Sequence, residues 1–265
     1  MTNAFSARAA RFRQLHAGPE LLRLANAWDV GTARLIESLG APAIATTSAG
    51  LAWSLGFPDG DALPLFQHLN TVKAIVAAVK LPVTVDIEGG YSDEPREVGA
   101  AVGRFAAAGA VGINIEDGAG APELLAAKIK AAKRPDLFIN ARCDVWLRAL
   151  APGDEHAETM RRAVVYAAAG ADCIFVPGVT DRDAIARLAT DIRDQLDLPL
   201  NVLARDGLPD VPTLEAAGVR RMSAGSGITQ AVYGLTRSLT QDFLSGSASN
   251  VPGTMTYPEI NSLMG

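Results

Sequence analysis

Cysteine and histidine are scarce in this chain, and their scarcity excludes several classes of protein. The 265 residues include two cysteines, Cys143 and Cys173, and three histidines. Two cysteines cannot form the disulfide framework of a small secreted domain, so we expect a reducing, cytoplasmic setting. The histidines, His16, His68 and His156, fall in predicted helices or loops, which argues against a zinc site.

The sequence also lacks a long apolar run and a cluster of Lys and Arg. No stretch approaches the roughly 20 apolar residues of a membrane-spanning helix, and the N-terminal segment has no apolar signal core. The formal net charge is −5, which disfavours a nucleic-acid partner. We therefore predict a protein that binds neither membranes nor nucleic acids.

Hydrophobic residues make up 49% of the chain and recur in a repeated pattern. In four segments a helical pattern ends at a glycine and a short apolar run follows; these glycines are Gly40, Gly109, Gly170 and Gly218. Glycine is favoured just after a helix because it adopts positive φ at little cost. Three further apolar runs, LPVTVDIEGG, RPDLFINARCD and LPLNVLARDG, follow a proline that stops a helix.

These patterns predict eight strands that alternate with helices. The predicted strands cover residues 22–25, 43–47, 83–88, 112–116, 137–142, 173–177, 200–203 and 220–223. The predicted helices cover residues 64–79, 95–108, 124–132, 156–169, 181–196, 212–217 and 228–244. This alternation favours an α/β fold, a (β/α)8 barrel of the TIM type, with a doubly wound open sheet as the alternative. We predict one barrel domain over residues 1–265, in which residues 228–265 form a C-terminal helical extension.

Acidic residues collect where neighbouring predicted strands end. Asp86 and Glu88 end the third strand, and Glu116 ends the fourth. Chemistry in such a barrel lies at the carboxyl ends of the strands, and like charges buried there repel unless a cation compensates. Because no His or Cys is in reach, we predict Mg²⁺ or Mn²⁺ held by oxygen ligands alone. The alternative is a set of solvated carboxylates that cap a helix or pair with Arg142.

Two further groups at these strand ends can hold a carboxylate. Arg142 ends the fifth predicted strand, and its planar guanidinium can make two hydrogen bonds to a substrate carboxylate. An ion pair with Glu116 or Asp144 is the competing role. Thr47 and Ser48 offer hydroxyl and backbone donors for an oxyanion, or they form an ordinary turn.

Four motifs in series resemble the isocitrate lyase/phosphoenolpyruvate mutase superfamily: NAWDVGTARLIESLGAPAIATTSAG, LPVTVDIEGGY, GINIEDG and INARCD. The resemblance covers roughly residues 10–230. It implies a (β/α)8 barrel whose C-terminal helix is exchanged between subunits, and a homotetramer built as a dimer of dimers. It also implies a Mg²⁺-dependent enzyme of the lyase type that acts on a small 2-oxo carboxylate.

The resemblance assigns metal-binding and catalytic roles by position. Asp86 stands where the superfamily has its direct Mg²⁺ ligand, and Glu88 stands where a second acidic residue holds metal-bound waters. Glu116 is the glutamate of the IED motif and the third metal-site residue. Asp59, in GFPDG, matches an acidic residue of the metal's outer shell. The catalytic candidates are therefore Arg142, Glu116 and Asp59.

The resemblance also assigns residues to substrate binding. Arg142 matches the arginine that contacts substrate, and Asp86 contributes through the metal. The other candidates come from the small-residue segment after the second strand and from the seventh and eighth strands: Thr47, Ser48, Ala49, Asn201 and Ser223.

The segment after Glu116 departs from the lyases of the superfamily. Isocitrate and methylisocitrate lyases carry a mobile loop there with a Lys-Lys-Cys-Gly-His or Lys-Arg-Cys-Gly-His motif, whereas this chain reads EDGAGAPELLAAKIKAAK. The longer loop of the mutase and phosphonopyruvate hydrolase branch is also missing. Pro177-Gly178 stands where the lyases have a glutamate after proline. We therefore expect the chain to keep the residues that bind the metal and the substrate carboxylate, here called the platform, and to lack the reaction-specific loop.

The reaction follows from what the platform can hold. A 2-oxo acid can bind Mg²⁺ through its carboxylate and keto oxygens, and the metal then stabilises an enolate. We expect cleavage of a C–C bond or decarboxylation. Two alternatives remain, a mutase or hydrolase of a P–C bond and a 2-oxo acid binding protein with little turnover. The absence of the mobile loop after Glu116 favours the binding protein, because an open site admits water and weakens electrostatic catalysis.

Overall fold

Nine parallel strands form a nearly closed barrel in the computed structural model, which describes residues 3–246 and 254–265. The strands are β1 Leu22–Leu24, β2 Asn26–Ala27, β3 Ile44–Thr46, β4 Val83–Asp86, β5 Gly112–Glu116, β6 Phe138–Arg142, β7 Cys173–Val176, β8 Leu200–Leu203 and β9 Arg221–Ser223. They hydrogen-bond in the order β1-β9-β8-β7-β6-β5-β4-β3-β2. The predicted (β/α)8 barrel is confirmed, and the doubly wound open sheet is excluded.

The first predicted strand, 22–25, is divided into two short strands. β1 pairs with β9, whereas β2 pairs with β3. The first strand of a closed barrel must pair with both the last and the second strand, and the chain changes partner at Ala25. The other seven predicted strands occur within two residues of their predicted ends. The largest difference is at β4, which ends at Asp86 rather than at residue 88.

Helices connect the strands along the outside of the barrel. The described residues contain α1 Asn3–Ala17, α2 Val30–Ser38, α3 Ser48–Ser54, α4 Leu65–Ala78, α5 Pro95–Ala107, α6 Pro122–Ala132, α7 Glu155–Ala169, α8 Arg182–Leu196, α9 Val211–Ala216, α10 Gly227–Leu244 and α11 Tyr257–Met264. All seven predicted helices occur, while α1, α2, α3 and α11 have no counterpart among those seven ranges. Within the described ranges, no helix is both long enough and apolar enough to cross a membrane.

Helix α1 packs against the amino-terminal ends of the strands. The Phe12 ring is fully buried and meets the Phe138 ring edge-on, with 5.4 Å between the ring centroids. Arg13 donates hydrogen bonds to the Leu137 carbonyl oxygen at 2.9 Å and to the Asp172 carboxylate at 2.8 Å. Because α1 covers this end, the carboxyl ends of the strands form the mouth of the barrel.

Helix α10 exposes an apolar surface. Its exposed apolar side chains are Ile228, Val232, Tyr233, Leu235, Phe243 and Leu244. Thr229 is the buried residue of this helix. A single chain therefore leaves much of α10 uncovered, as a helix exchanged between subunits would be. The exchange itself stays a prediction, as does the assignment of residues 1–265 to one domain.

Candidate active site

Asp86 ends β4 at the mouth of the barrel and lies against the first turn of α3. Its carboxylate accepts hydrogen bonds from the Ser48 hydroxyl at 3.0 Å and from the Ser48 backbone N–H at 3.4 Å. The Asp86 backbone N–H donates to the Thr46 hydroxyl oxygen at 3.0 Å. Thr47 caps α3, and Ala49 is buried in the first turn. The segment after β3 is thus the start of a helix, which brings Ser48 to Asp86.

Glu88 lies in a turn rather than on the strand. Its φ is 53°, in the left-handed region that residues other than glycine rarely adopt. Its carboxylate accepts a hydrogen bond from the Asp61 backbone N–H. The Glu116 N–H donates to the Glu88 carbonyl oxygen at 3.0 Å, so these two acids are neighbours. Because β4 stops at Asp86, strand alternation does not determine the direction of the Glu88 side chain.

Arg142 ends β6 between two carboxylates. Its Nη1 lies 2.5 Å from Glu116 Oε2, and its Nε lies 2.6 Å from Asp144 Oδ1. A further hydrogen bond from Nη2 to Asp144 Oδ2, at 3.1 Å, makes the contact with Asp144 bidentate. Burial favours a lower pKa for Arg142, but the charges of Glu116, Asp144 and Asp86 outweigh it and hold the pKa above its usual range. Both competing ion pairs therefore occur, and together they orient the guanidinium.

The acidic cluster carries more negative charge than Arg142 neutralises. Burial raises the pKa of Asp86, while the charge of Arg142 opposes this shift. Burial, reinforced by neighbouring acids, raises the pKa of Glu88 to about 7. Burial and the repulsion of nearby carboxylates also raise the pKa of Glu116 to about 8, although Arg142 acts in the opposite direction. A cation at this mouth would offset the excess charge.

Asp59 and Asp61, on the loop between α3 and α4, add to the negative charge. Asp59 is exposed, and its charge contributes to the raised pKa of both Asp86 and Glu88. Burial raises the pKa of Asp61, while backbone hydrogen bonds to its carboxylate, first that of Tyr91, oppose the shift. Asp59 was predicted from the sequence, whereas Asp61 was not. The spacing of two acids around one glycine was a weak signal, since it does not show that the loop folds onto Glu88.

The carboxylate oxygens at the mouth of the barrel are ligands that suit a hard divalent cation. The described residues contain no group of three or more His, Cys, Asp or Glu side chains already arranged to hold a metal ion. Mg²⁺ does not need such a cage, because it usually keeps several waters and takes one or two carboxylates together with substrate oxygens. Buried oxygen donors with excess negative charge suit Mg²⁺ or Mn²⁺ better than zinc.

Asn201 and Ser223 lie inside the barrel with a buried arginine. Asn201 Nδ2 lies 3.3 Å from Ser223 Oγ. Arg221 has no exposed surface; its Nε donates to Ser223 Oγ at 3.3 Å, and its Nη2 donates to Asn114 Oδ1 at 3.1 Å. Burial lowers the pKa of Arg221 to about 10. Arg221 was not predicted from the sequence, although its two-residue spacing from Ser223 places both residues on one face of β9.

Residues 117–121 connect β5 to α6 by a short, anchored turn. The Asp117 carboxylate accepts hydrogen bonds from Arg162 at 2.8 Å and from the Tyr166 hydroxyl at 2.5 Å. The Gly120 N–H donates to the Asp117 carbonyl oxygen at 2.7 Å. Helix α6 begins directly afterwards at Pro122. The turn therefore leaves no length for a loop that could close over the mouth from this strand.

Gly178 shows why a glutamate does not fit after Pro177. Its φ is 94°, and a Cβ atom built on it would lie 2.7 Å from both the backbone N and Cα of Leu147. The loop after β6 therefore occupies the space that a side chain would need. We expect Gly178→Ala to lower the free energy of unfolding by about 2–4 kcal/mol, measured by denaturant titration.

Gly153 provides the matched control for this substitution. Its φ is 88°, but no atom lies within 4 Å of a Cβ built on it. Gly153→Ala should therefore cost only the strain of positive φ, about 1 kcal/mol. Equal losses in the two variants would show that the contact with Leu147 does not constrain Gly178.

Sequence comparisons place the chain among known relatives. The family model described as phosphoenolpyruvate phosphomutase matches residues 12–244. An uncharacterised protein of Mycobacterium tuberculosis is 40% identical over 225 residues, which cover 81% of each chain. An oxaloacetate decarboxylase of Rhodopseudomonas palustris is 32% identical over 209 residues, which cover 71% of this chain and 70% of the relative.

Solved structures give the same result. A Burkholderia cenocepacia J2315 protein described as a lyase/mutase superposes with a TM-score of 0.87 at 34% identity, over 98% of this chain and 96% of its own. A phosphonopyruvate hydrolase, solved with oxalate and Mg²⁺, superposes with a TM-score of 0.82 at 24% identity, over 97% of this chain and 94% of its own, and shows the shared fold. With a family match that spans nearly the whole barrel, the chain belongs to the phosphoenolpyruvate phosphomutase family of the isocitrate lyase/phosphoenolpyruvate mutase superfamily.

Proposed function

We propose that this protein is a Mg²⁺-dependent lyase that binds a small 2-oxo carboxylate and stabilises its enolate. The observation that carries the proposal is the acidic cluster of Asp86, Glu88 and Glu116, of which Glu88 is buried and the other two are partly buried, beside the oriented guanidinium of Arg142. Acidic oxygen donors suit a divalent cation, and a fixed arginine suits an anionic substrate. The family match and the oxaloacetate decarboxylase relative support the same reaction class.

The acidic residues divide into two proposed roles. Asp86 is the candidate for the direct metal ligand, because Ser48 holds its carboxylate in place. Glu88 and Glu116 would hold metal-bound waters, and Asp59 would contribute negative charge from outside the cluster. When bound, Mg²⁺ would supply Lewis-acid stabilisation of the enolate. These carboxylates would offset the charge of the ion and orient its waters.

Arg142 would anchor the substrate carboxylate. A guanidinium carries five N–H groups. Nη1 donates one towards Glu116, while Nε and Nη2 each donate one to Asp144, which leaves two N–H groups for an anionic ligand. The first turn of α3, with Thr47, Ser48 and Ala49, would line the same end of the substrate. Inside the barrel, Asn201 and Ser223 would supply polar groups below it.

A C–C bond is the proposed target. The turn at residues 117–121 contains no Lys, Arg or His that could surround a phosphoryl group. The same turn supplies no cysteine to protonate an enolate, so water is the proposed proton donor. Decarboxylation of a dicarboxylic 2-oxo acid would break such a bond. The short turn also supports the second candidate, a 2-oxo acid binding protein with little turnover, because nothing from this strand excludes water.

A substrate screen tests these possibilities together. We expect oxaloacetate with Mg²⁺ to release pyruvate at least about 100-fold faster with the wild type than with Asp86→Asn, and EDTA to remove the difference. The variant also corrects for the spontaneous decay of oxaloacetate. Phosphate released from 3-phosphonopyruvate would instead support P–C bond cleavage. Binding of 2-oxo acids without any product would support the binding protein, and neither binding nor product would refute all three.

We also propose a homotetramer, built as a dimer of dimers, in which α10 is exchanged between subunits. The exposed apolar side chains of α10 support this assembly, since a neighbouring subunit would cover them. Light scattering measures the mass directly, and a monomer at micromolar concentration would exclude it. The cytoplasmic location stays a prediction.

A further inference from the structure

A cavity of about 380 Å³ lies beside the acidic cluster. Glu88 and Glu116 line it, and so do Asp61, Lys128 and Arg148. Two of these residues, Glu88 and Glu116, also belong to the proposed metal site, so the cavity borders that site. The part of a substrate beyond its 2-oxo carboxylate can therefore occupy this space.

The two cations of this cavity differ in what they already bind. The Lys128 ammonium donates to the Gly89 carbonyl oxygen at 2.9 Å and to the Asp93 carboxylate at 3.1 Å, and its side chain is 7% exposed. Arg148 donates through Nε to Asp144 at 3.0 Å, and its side chain is 48% exposed. Within the described part of the chain, no hydrogen bond occupies the two terminal nitrogens of Arg148. Of these two cations, Arg148 is therefore the one whose terminal N–H groups are available to a ligand.

Asp144 contacts both arginines, Arg142 through two hydrogen bonds and Arg148 through one. Its carboxylate is fully buried and accepts hydrogen bonds from both guanidinium groups. The Asp144 backbone N–H donates a hydrogen bond to the Asp117 carboxylate at 2.9 Å. This bond fixes the backbone of Asp144 to the turn after β5. A guanidinium oriented before a ligand arrives loses less conformational freedom on binding. The buried Asp144 carboxylate thus orients two arginines, Arg142 at the mouth of the barrel and Arg148 at the cavity.

We propose that Arg148 binds a second carboxylate of the substrate and thereby selects dicarboxylic 2-oxo acids. The inference rests on the proposed function. The carboxylates of Asp61, Glu88 and Glu116 would repel an anionic substituent of the substrate. The positive charge of Arg148 offsets that repulsion. Gly118 lies beside the free end of Arg148, since a Cβ atom built there would be 4.0 Å from Arg148 Nη2. One arginine with two free nitrogens matches a carboxylate better than a phosphonate dianion, which needs more positive charge.

Calorimetric competition against oxalate, in the presence of Mg²⁺, tests the proposal. Oxalate has no distal group and reports on the metal and Arg142 alone. The probes are two pairs that differ in a distal carboxylate and lack a carboxylate at C3 that could be lost, 2-oxoglutarate against 2-oxopentanoate and 2-oxoadipate against 2-oxohexanoate, together with 3-phosphonopyruvate. The variants are Arg148→Gln and Arg148→Lys. Arg187→Gln is the control, since Arg187 is exposed on α8 and removing it changes the net charge equally.

We expect the wild type and Arg187→Gln to bind at least one dicarboxylate about tenfold more tightly than its partner without the distal charge. Arg148→Gln should lose this preference and keep the affinity for oxalate within about twofold, while Arg148→Lys should keep part of it. An unchanged preference in Arg148→Gln, or none in the wild type, overturns the proposal. A preference confined to 3-phosphonopyruvate overturns the assignment to a carboxylate. Failure of the wild type to bind oxalate refutes the proposed function, and this inference with it.

Discussion

Replacing Asp86 by asparagine is expected to abolish Mg²⁺-dependent binding of oxalate. The amide keeps the size of the side chain and can still accept a hydrogen bond from Ser48, but it removes the charge that the metal needs. Breaking a buried charge pair costs about 3–5 kcal/mol, so we expect the affinity to fall by more than about 100-fold. Titration calorimetry of oxalate at saturating Mg²⁺ measures this loss.

The stability of the metal-free variant distinguishes a lost ligand from a damaged fold. Burial raises the pKa of Asp86, which means that the buried charge is unfavourable without a cation. Metal-free Asp86→Asn should therefore unfold at or above the temperature of the metal-free wild type, and Mg²⁺ should no longer raise that temperature. Asp136→Asn is the control, because Asp136 is exposed and lies just before the amino-terminal end of β6, opposite the mouth. Normal Mg²⁺-dependent binding by Asp86→Asn would refute the assigned platform.

Replacing Arg142 by alanine is expected to weaken the binding of 2-oxo acids and oxalate by about 2–4 kcal/mol. The guanidinium is mostly buried, with 19% of its side chain exposed, and it is oriented by Glu116 and Asp144. Its loss removes the anchor for the substrate carboxylate and leaves those two carboxylates without their partner. The affinity for oxalate, measured by calorimetry, should accordingly fall by about 30- to 1,000-fold.

A structural role for Arg142 would give a different pattern. Loss of the fold lowers the melting temperature, whereas loss of the anchor lowers affinity in a protein that still melts cooperatively. Arg142→Lys keeps the charge without the planar fork, and we expect it to recover only part of the affinity. Arg161→Ala, which removes an exposed arginine paired with Glu158, should leave the affinity unchanged. A loss of less than about tenfold in Arg142→Ala would assign Arg142 to structure alone.

The barrel was largely predictable because its signals are local. Gly109 and Gly170 follow helices and have φ values of 100° and 105°, as the glycine pattern indicated. The apolar runs after them are β5 and β7. The strand ends identified from the glycine and proline patterns place Glu116 and Arg142 at the ends of β5 and β6, and a residue that ends a parallel strand lies at the mouth of the barrel.

The contacts around these residues were less predictable because they join segments far apart in the chain. Ser48 reaches Asp86 only because α3 starts directly after β3. Glu88 accepts a hydrogen bond from the Asp61 backbone N–H because it lies in a turn with positive φ. No motif in the sequence predicts that conformation. Arg142, Asp144 and Arg148 are close in sequence, but only the structure shows that Arg148 lines the cavity beside Glu88 and Glu116.

The sequence by itself determined the barrel, the family and the acids and arginine at the strand ends. Each of these follows from patterns that a few neighbouring residues contain, or from motifs that align in order. Only the tertiary structure decided how the carboxylates are partnered, which cations remain free and where the cavity lies. Those properties depend on distances between loops from different strands, and the packing of the whole barrel sets these distances.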